Sequence, residues 1–254
     1  MELKHKNNSK LLILVLVLTI AVITSLVLIF SEDEGTSITL IPDSSQSAKQ
    51  TSEIVPVTPE VTPAPIPSEV LLSVPFTPQA PTANWDELHN EACEEASSIM
   101  ANAYFFEITS LPPNLVENEI DKLTQWQDSN FGYHLSITTE ETAKMLKDVY
   151  DLNTTVTELS EEAMKRALSN GQLIIFPANG QLLKNPYFKQ PGPIYHMLVI
   201  TGFDKDGFIT NDPGTKRGLN YRYNYDTLYN SNGNWSHADE KVNLTEKKII
   251  IVSN

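Results

Sequence analysis

The chain has 254 residues, with 32 acidic against 18 basic side chains and a formal net charge of −14. That balance argues against nucleic acid as a partner, because binding phosphates needs a positive surface. A single cysteine cannot form an internal disulfide, and no cysteine–histidine cluster stands at zinc-ligand spacing, so neither a disulfide framework nor a metal or other cofactor is expected.

Residues 1–10 form a basic tail carrying Lys4, Lys6 and Lys10, followed by 20 uncharged residues from Leu11 to Phe30. At about 1.5 Å per residue in a helix, that run matches a hydrocarbon core of about 30 Å. Lysines precede it and Glu32, Asp33 and Glu34 follow, which predicts a cytoplasmic N-terminus and an extracytoplasmic remainder at the cell membrane. A cleaved signal peptide would have a shorter apolar region ending in small residues, whereas this one ends Leu-Val-Leu-Ile-Phe, so an uncleaved anchor is expected. Residues 31–69 carry no aromatic residue, one glycine and six prolines. Too little apolar surface is available there to offset chain entropy, and a disordered, Pro-rich stalk is expected.

Aromatics and periodic apolar runs begin near Val70, leaving residues 70–254 as one domain with a proper core. Leu72 to Gln79 reads as an extended lead-in limited to a sheet edge by its prolines. Asn90 to Phe106 is a helix, with Ala92, Ala96, Ile99, Ala103 and Phe106 at three- and four-residue steps and Asn90 as its cap. Further helices are predicted at Leu115–Gln127, at Thr139–Tyr150 behind Thr138 or Thr139, and at Ser160–Asn170 with Gly171 as its stop. The period then changes. Gln172–Phe176 is a short buried strand, a long loop runs from Ala178 to Pro193, and Tyr195–Phe203 turns at Asp204-Lys-Asp-Gly207 into Phe208–Asn211. Lys248–Val252 is a last strand. Helices followed by an antiparallel sheet make the domain α+β.

Cys93 falls in the first turn of its helix, where free N–H groups and the helix dipole favour a thiolate. The competing reading is a small core cysteine. His196 opens the strongest strand and Asp212 closes its hairpin partner, so the two can meet across the turn. An imidazole that accepts a proton from a nucleophile needs such an acidic neighbour to fix its tautomer. Asn211 is adjacent and is the alternative, since alternation puts only one of the two on the His196 side. Among the other candidates, His89 is expected in an exposed loop, and His134 and His237 in polar loops. Asp204–Gly207 reads as a hairpin turn rather than a calcium loop. Trp85 and the Tyr221–Tyr229 aromatics either line a cleft or pack.

Gln79, the Cys93 helix, Tyr195-His196-Met-Leu-Val-Ile-Thr-Gly-Phe-Asp204 and Phe208-Ile-Thr-Asn-Asp212-Pro-Gly together resemble the bacterial peptidase C39-like group of bacteriocin-leader peptidases, within the papain-like superfamily. The resemblance covers roughly Val70 to Val252. It implies a papain-like fold and a Cys93–His196–Asp212 triad with Gln79 supplying an oxyanion-hole donor. It also implies a peptide or protein substrate, a cell-wall peptide among the candidates. A wall hydrolase of the NlpC or CHAP kind shares the Cys–His order, and a catalytically silent module binding peptides or wall polymers is the non-enzymatic alternative. No transporter segment or ATPase motif is present, so the leader-peptide substrate of exporter-linked members does not carry over. Where family members usually follow the cysteine with a small pair, this chain has Glu94-Glu95. Those carboxylates oppose a thiolate, but if they turn to solvent the imidazolium and the helix N–H groups prevail, and Cys93 is expected to ionise below about 8.5.

Overall fold

The computed structural model describes residues 64–254. The predicted anchor Leu11–Phe30 and most of the predicted stalk lie outside these residues. Among the described residues no helix is long and apolar enough to cross a membrane. The chain already packs on the domain before Val70, with Ile66 against a core and the carbonyl of Ala64 accepting from Arg166 Nη1 at 3.3 Å.

A seven-stranded antiparallel sheet organises the domain. Strands β2 (Asn153–Glu158), β9 (Lys248–Ser253), β3 (Leu173–Ala178), β4 (His196–Asp204), β5 (Gly207–Asn211) and β6 (Tyr221–Tyr223) follow one another across it, and β1 (Val70–Leu71) adds to the far end of β4. The β4–β5 hairpin turns at Lys205-Asp206, within the predicted Asp204–Gly207 stretch, pairing Asp204 with Gly207 and Val199 with Asn211. A register shift between Ile200 and Gly202 marks a β-bulge in the β4–β5 pairing, at the point where β1 approaches β4. Gly202 makes that approach possible, since a Cβ there would lie 2.2 Å from the carbonyl oxygen of Val70.

Alternation along the strands builds two cores. Leu173, Ile175, Met197, Val199, Ile250 and Val252 face helices α2 (Cys93–Phe105), α3 (Pro113–Asn130) and α4 (Thr139–Tyr150), which follow the single-turn α1 (Glu87–Asn90). Ile174, Phe176, Leu198, Ile200 and Ile249 face α5 (Glu161–Ser169), α6 (Gly180–Leu183) and α7 (Tyr225–Ser231). Side chains such as Ile174, Ile175 and Phe176 are fully buried, each contributing about 1.5–3 kcal/mol relative to exposure. With both faces covered, the central strands read as unbroken apolar runs rather than alternating ones.

The predicted helices are present, Thr139–Tyr150 with the expected ends and the others with shifted ones. The Thr138 hydroxyl accepts from Glu141 N–H while the Glu141 carboxylate accepts from Thr138 N–H, a capping box that starts α4. Ser160 accepts from Ala163 N–H and starts α5. The expectation of helices first and strands afterwards needs correction. β2 lies between α4 and α5 and pairs along its whole length with β9. Its Thr-rich sequence half-buries only one edge of the sheet, so no apolar run announces it. Two small elements also sit in stretches read as loops: α6, and the β7 (Asn234–Ser236) to β8 (Lys241–Asn243) hairpin.

Candidate active site

Asp86 starts the approach to Cys93. Its carboxylate accepts from the N–H of His89 at 3.0 Å and from His89 Nδ1 at 2.7 Å, capping the start of α1. His89 Nε2 meets Glu117 of α3 at 2.6 Å. His89 is therefore buried and clamped, not in the exposed loop expected of it. Burial works against its charge, but the hydrogen bonds to Asp86 and Glu117 outweigh it and raise its pKa. Asn90 does not cap α2; it ends α1, donating to the carbonyls of Trp85 and Asp86, and Ala92 begins α2 with no side-chain cap. Gln79 fastens this turn. Its amide donates to the carbonyls of His89 at 2.9 Å and Asn90 at 3.0 Å, and its Oε1 is left without a partner.

Cys93 is the first residue of α2 and is only 4 % exposed. Its Sγ donates to Glu94 Oε2 at 2.9 Å. Glu94 Oε1 accepts from the N–H of Ile137 at 3.1 Å, and Glu95 Oε1 accepts from the Gln127 amide. The expectation that these glutamates turn to solvent is overturned: they are 2 % and 1 % exposed. α2 is covered on every side, by β4, α3 and α4, so its first turn has no outward face. Burial, then the charge and hydrogen bond of Glu94, push the Cys93 thiol well above its ordinary range rather than below it. Burial likewise raises Glu94, with the neighbouring Glu95 adding to it, and raises Glu95 to about 7.

The other half of the site is built on β4 and the turn after β5. His196 Nε2 lies 2.8 Å from Asp212 Oδ1, and both residues are buried. That carboxylate is saturated. Oδ1 also accepts from the N–H of Gly214 at 3.0 Å, and Oδ2 accepts from Tyr223 Oη at 2.6 Å and Asn185 Nδ2 at 3.0 Å. Burial alone would raise the Asp212 pKa, but the His196 charge and these hydrogen bonds hold it below the ordinary carboxylate range. A Cβ at Gly214 would lie 2.9 Å from His196 Cε1, so only glycine lets the Asp-Pro-Gly turn press against the imidazole. The Phe188 ring meets His196 edge-on at 5.2 Å. Asn211 turns elsewhere, donating to the carbonyl of Val74 and accepting from Asn220 N–H.

The structure thus joins His196 to Asp212 and places Gln79 beside the turn that leads into Cys93. It forms no hydrogen bond between Cys93 and His196. Tyr195, Met197 and Val199 belong to the core that holds Cys93, and Leu198 and Ile200 to the other one. Asn185 and Tyr223, which complete the Asp212 site, lie outside every motif. Only the β5–β6 register, Phe208 opposite Tyr223, could have located the tyrosine. A cleft of about 830 Å³ opens over Gln79, Asn90 and Glu91 on one side and Gly214 and Thr215 on the other. Trp85 lines it, whereas Tyr221, Tyr223 and Tyr225 are packed in aromatic pairs. His134 and His237 pair at the surface with Asp128 and Glu141.

The model of the Peptidase_C39 like family matches residues 71–241. The chain belongs to this family. A crystal structure described as a C39-like peptidase from Bacillus anthracis superposes with a TM-score of 0.47 at 16% identity, over 73% of this chain and 98% of that one. No curated protein matches the chain. For a Peptidase_C39 like domain, the antiparallel α+β sheet with helices on both faces is the expected class of scaffold, and a peptidase is the activity that membership suggests.

Proposed function

We propose that the domain is a thiol peptidase held outside the cytoplasmic membrane by Leu11–Phe30, cleaving peptide or isopeptide bonds. The observation that carries this reading is the buried His196–Asp212 pair, with all four acceptor positions of the carboxylate occupied, beside a cleft that reaches the turn before Cys93. In the step proposed, the Cys93 thiol gives its proton to His196 Nδ1 and its sulfur bonds to the scissile carbonyl carbon. The adduct collapses by breaking the C–N bond, and the His196 proton goes to the leaving nitrogen. Water, deprotonated by His196, then attacks the thioester carbon; the C–S bond breaks, the acid leaves, and the proton returns from His196 to the Cys93 sulfur. Asp212 keeps Nε2 protonated throughout. The Cys93 N–H and a Gln79 N–H released from the turn carbonyls would receive the oxyanion.

The thiol held on Glu94 is the resting, protonated form in this scheme, and Sγ must leave Glu94 before it reaches His196. Alkylation of Cys93 in the folded full-length chain should therefore be slow at pH 7 and speed up severalfold in Glu94→Gln, which removes a charge and an ionisable acceptor. Hydrolysis of fluorogenic peptides should vanish in Cys93→Ala and in His196→Ala with little change in the unfolding midpoint of the first. The same bond to Glu94 and the same burial favour a second reading, a peptide-binding module without catalysis. Peptide binding by the wild type without hydrolysis would establish that one instead.

The orientation is proposed from the charges flanking Leu11–Phe30. Protease added to intact cells should remove everything after Ser31 and leave a short anchored fragment. A domain protected in intact cells but digested after lysis would reverse the orientation.

A further inference from the structure

The cleft beside the His196–Asp212 pair has an uneven charge that the mechanism does not use. Seven of the fourteen cations among the described residues pair with carboxylates, such as Lys122 with Glu119, Lys144 with Asp148, Arg222 with Asp204 and Lys248 with Glu140. Lys189 and Lys216 are among the seven that do not. Both line the cleft, both are exposed, and neither forms an ion pair among the described residues. Arg217, next to Lys216, stacks over the Tyr187 ring with its guanidinium carbon 4.9 Å from the centroid. In a chain of net charge −14, three unpaired cations at one wall, Lys189, Lys216 and the neighbouring Arg217, make a local field opposite in sign to the net charge of the molecule.

The two exposed aromatics of the cleft, Trp85 and Tyr187, are each 45% exposed. They offer flat apolar surfaces with little conformational entropy to lose on binding. Glu91, the single acid among the lining residues, lies on the Cys93 side, two residues from the thiol. The cleft is therefore acidic toward the reaction centre and basic toward the 187–193 and 214–217 loops. We propose that it takes an extended peptide segment carrying carboxylate side chains, held against Lys189 and Lys216, with an apolar portion between Trp85 and Tyr187. This names the substrate class of the peptidase reading and rests on that reading only for the fate of the bound peptide.

The test uses the full-length chain in detergent micelles as Cys93→Ala, with fluorescein-labelled heptapeptides that are identical except for paired glutamates, glutamines or lysines. At 50 mM salt the glutamate peptide should bind about five- to tenfold more tightly than the glutamine one, by fluorescence anisotropy. The gap should close at 500 mM salt, where the screening length is only a few ångströms. In Lys189→Glu with Lys216→Glu the order should reverse in favour of the lysine peptide. Equal binding of the glutamate and glutamine peptides at low salt, a preference unchanged in the double variant, or no binding of any of the three would overturn the proposal. Glutamate-selective binding by the wild type without turnover would remove the peptidase reading and leave this one standing. Turnover of the glutamate and glutamine peptides at equal kcat/KM would do the opposite.

Discussion

Asp212→Ala is expected to lower the rate of peptide hydrolysis about a thousandfold or more, and Asn211→Ala to change it little. Among the described residues Asp212 is the one acceptor of His196 Nε2, and it also receives Asn185 and Tyr223. Removing it frees the imidazole to take the wrong tautomer and strands three buried donors. That loss should also cost about 3–5 kcal/mol of stability, as for breaking a buried charged pair. Asp212→Asn separates the two effects, since it keeps the volume and part of the hydrogen bonding while removing the charge. Its kcat should still fall at least a hundredfold, measured on protein shown to be folded by denaturant titration. Asn211→Ala loses only its bonds to Val74 and Asn220, at about 1–3 kcal/mol. A larger kcat loss in Asn211→Ala than in Asp212→Asn would move the orienting role to the amide. Because the Asp212 pKa is lowered by folding, its contribution to stability is present above its unfolded value of about 3.8 and is lost as pH falls below it.

The His196–Asp212 half of the site is legible in the sequence because local chemistry fixes it. The two-residue turn between Asp204 and Gly207 sets the β4–β5 register, and the register then sets which side chains meet beyond the end of the hairpin. The Cys93 half is not legible in the same way. Its helix has small residues nearly all round, Ala92, Ala96, Ser97, Ser98, Ala101 and Ala103, and all of them are buried. A stripe at three- and four-residue steps suggests that the remaining face is solvated. Only the tertiary structure reveals that α3 and α4 close over that face and turn Glu94 and Glu95 inward. Asn90 misled for a related reason. It is a good capping residue, but it serves the one-turn helix before Cys93, which no periodic pattern can announce in four residues. β2 escaped because an edge strand of threonines needs no apolar run, only a partner, and β9 lies about a hundred residues away.

The buried glutamates should leave a mark on stability that is independent of any activity. Two carboxylates adjacent in sequence and nearly inaccessible to water cannot both ionise cheaply. Glu95 has one oxygen on Gln127 and the other without a partner, and burial raises it from an ordinary 4.5 to about 7. A carboxyl whose pKa is raised by folding holds its proton more tightly in the native state than in the unfolded chain. Its contribution is therefore full below about 4.5 and is lost as pH rises toward 7. A shift of that size corresponds to about 3 kcal/mol. Unfolding free energy should fall by at least this amount between pH 4.5 and pH 8 in the wild type, with Glu94, Glu91 and His89 adding losses of the same sign because their pKa values are also raised. Glu95→Gln isolates the carboxyl. The variant should be more stable than wild type at pH 8 by about 2–3 kcal/mol, since Gln127 keeps an acceptor and no buried charge remains. At pH 5 it should be level or slightly weaker, because an amide N–H then replaces the second, unpartnered oxygen. The quantity that decides is the difference between the two proteins at each pH, read from denaturant unfolding, because His89 and the surface carboxylates cancel in it. A difference that stays constant from pH 5 to pH 8 would mean that Glu95 does not titrate in this window. Cys93 would then be kept protonated by burial and Glu94, with no part left for a titrating Glu95.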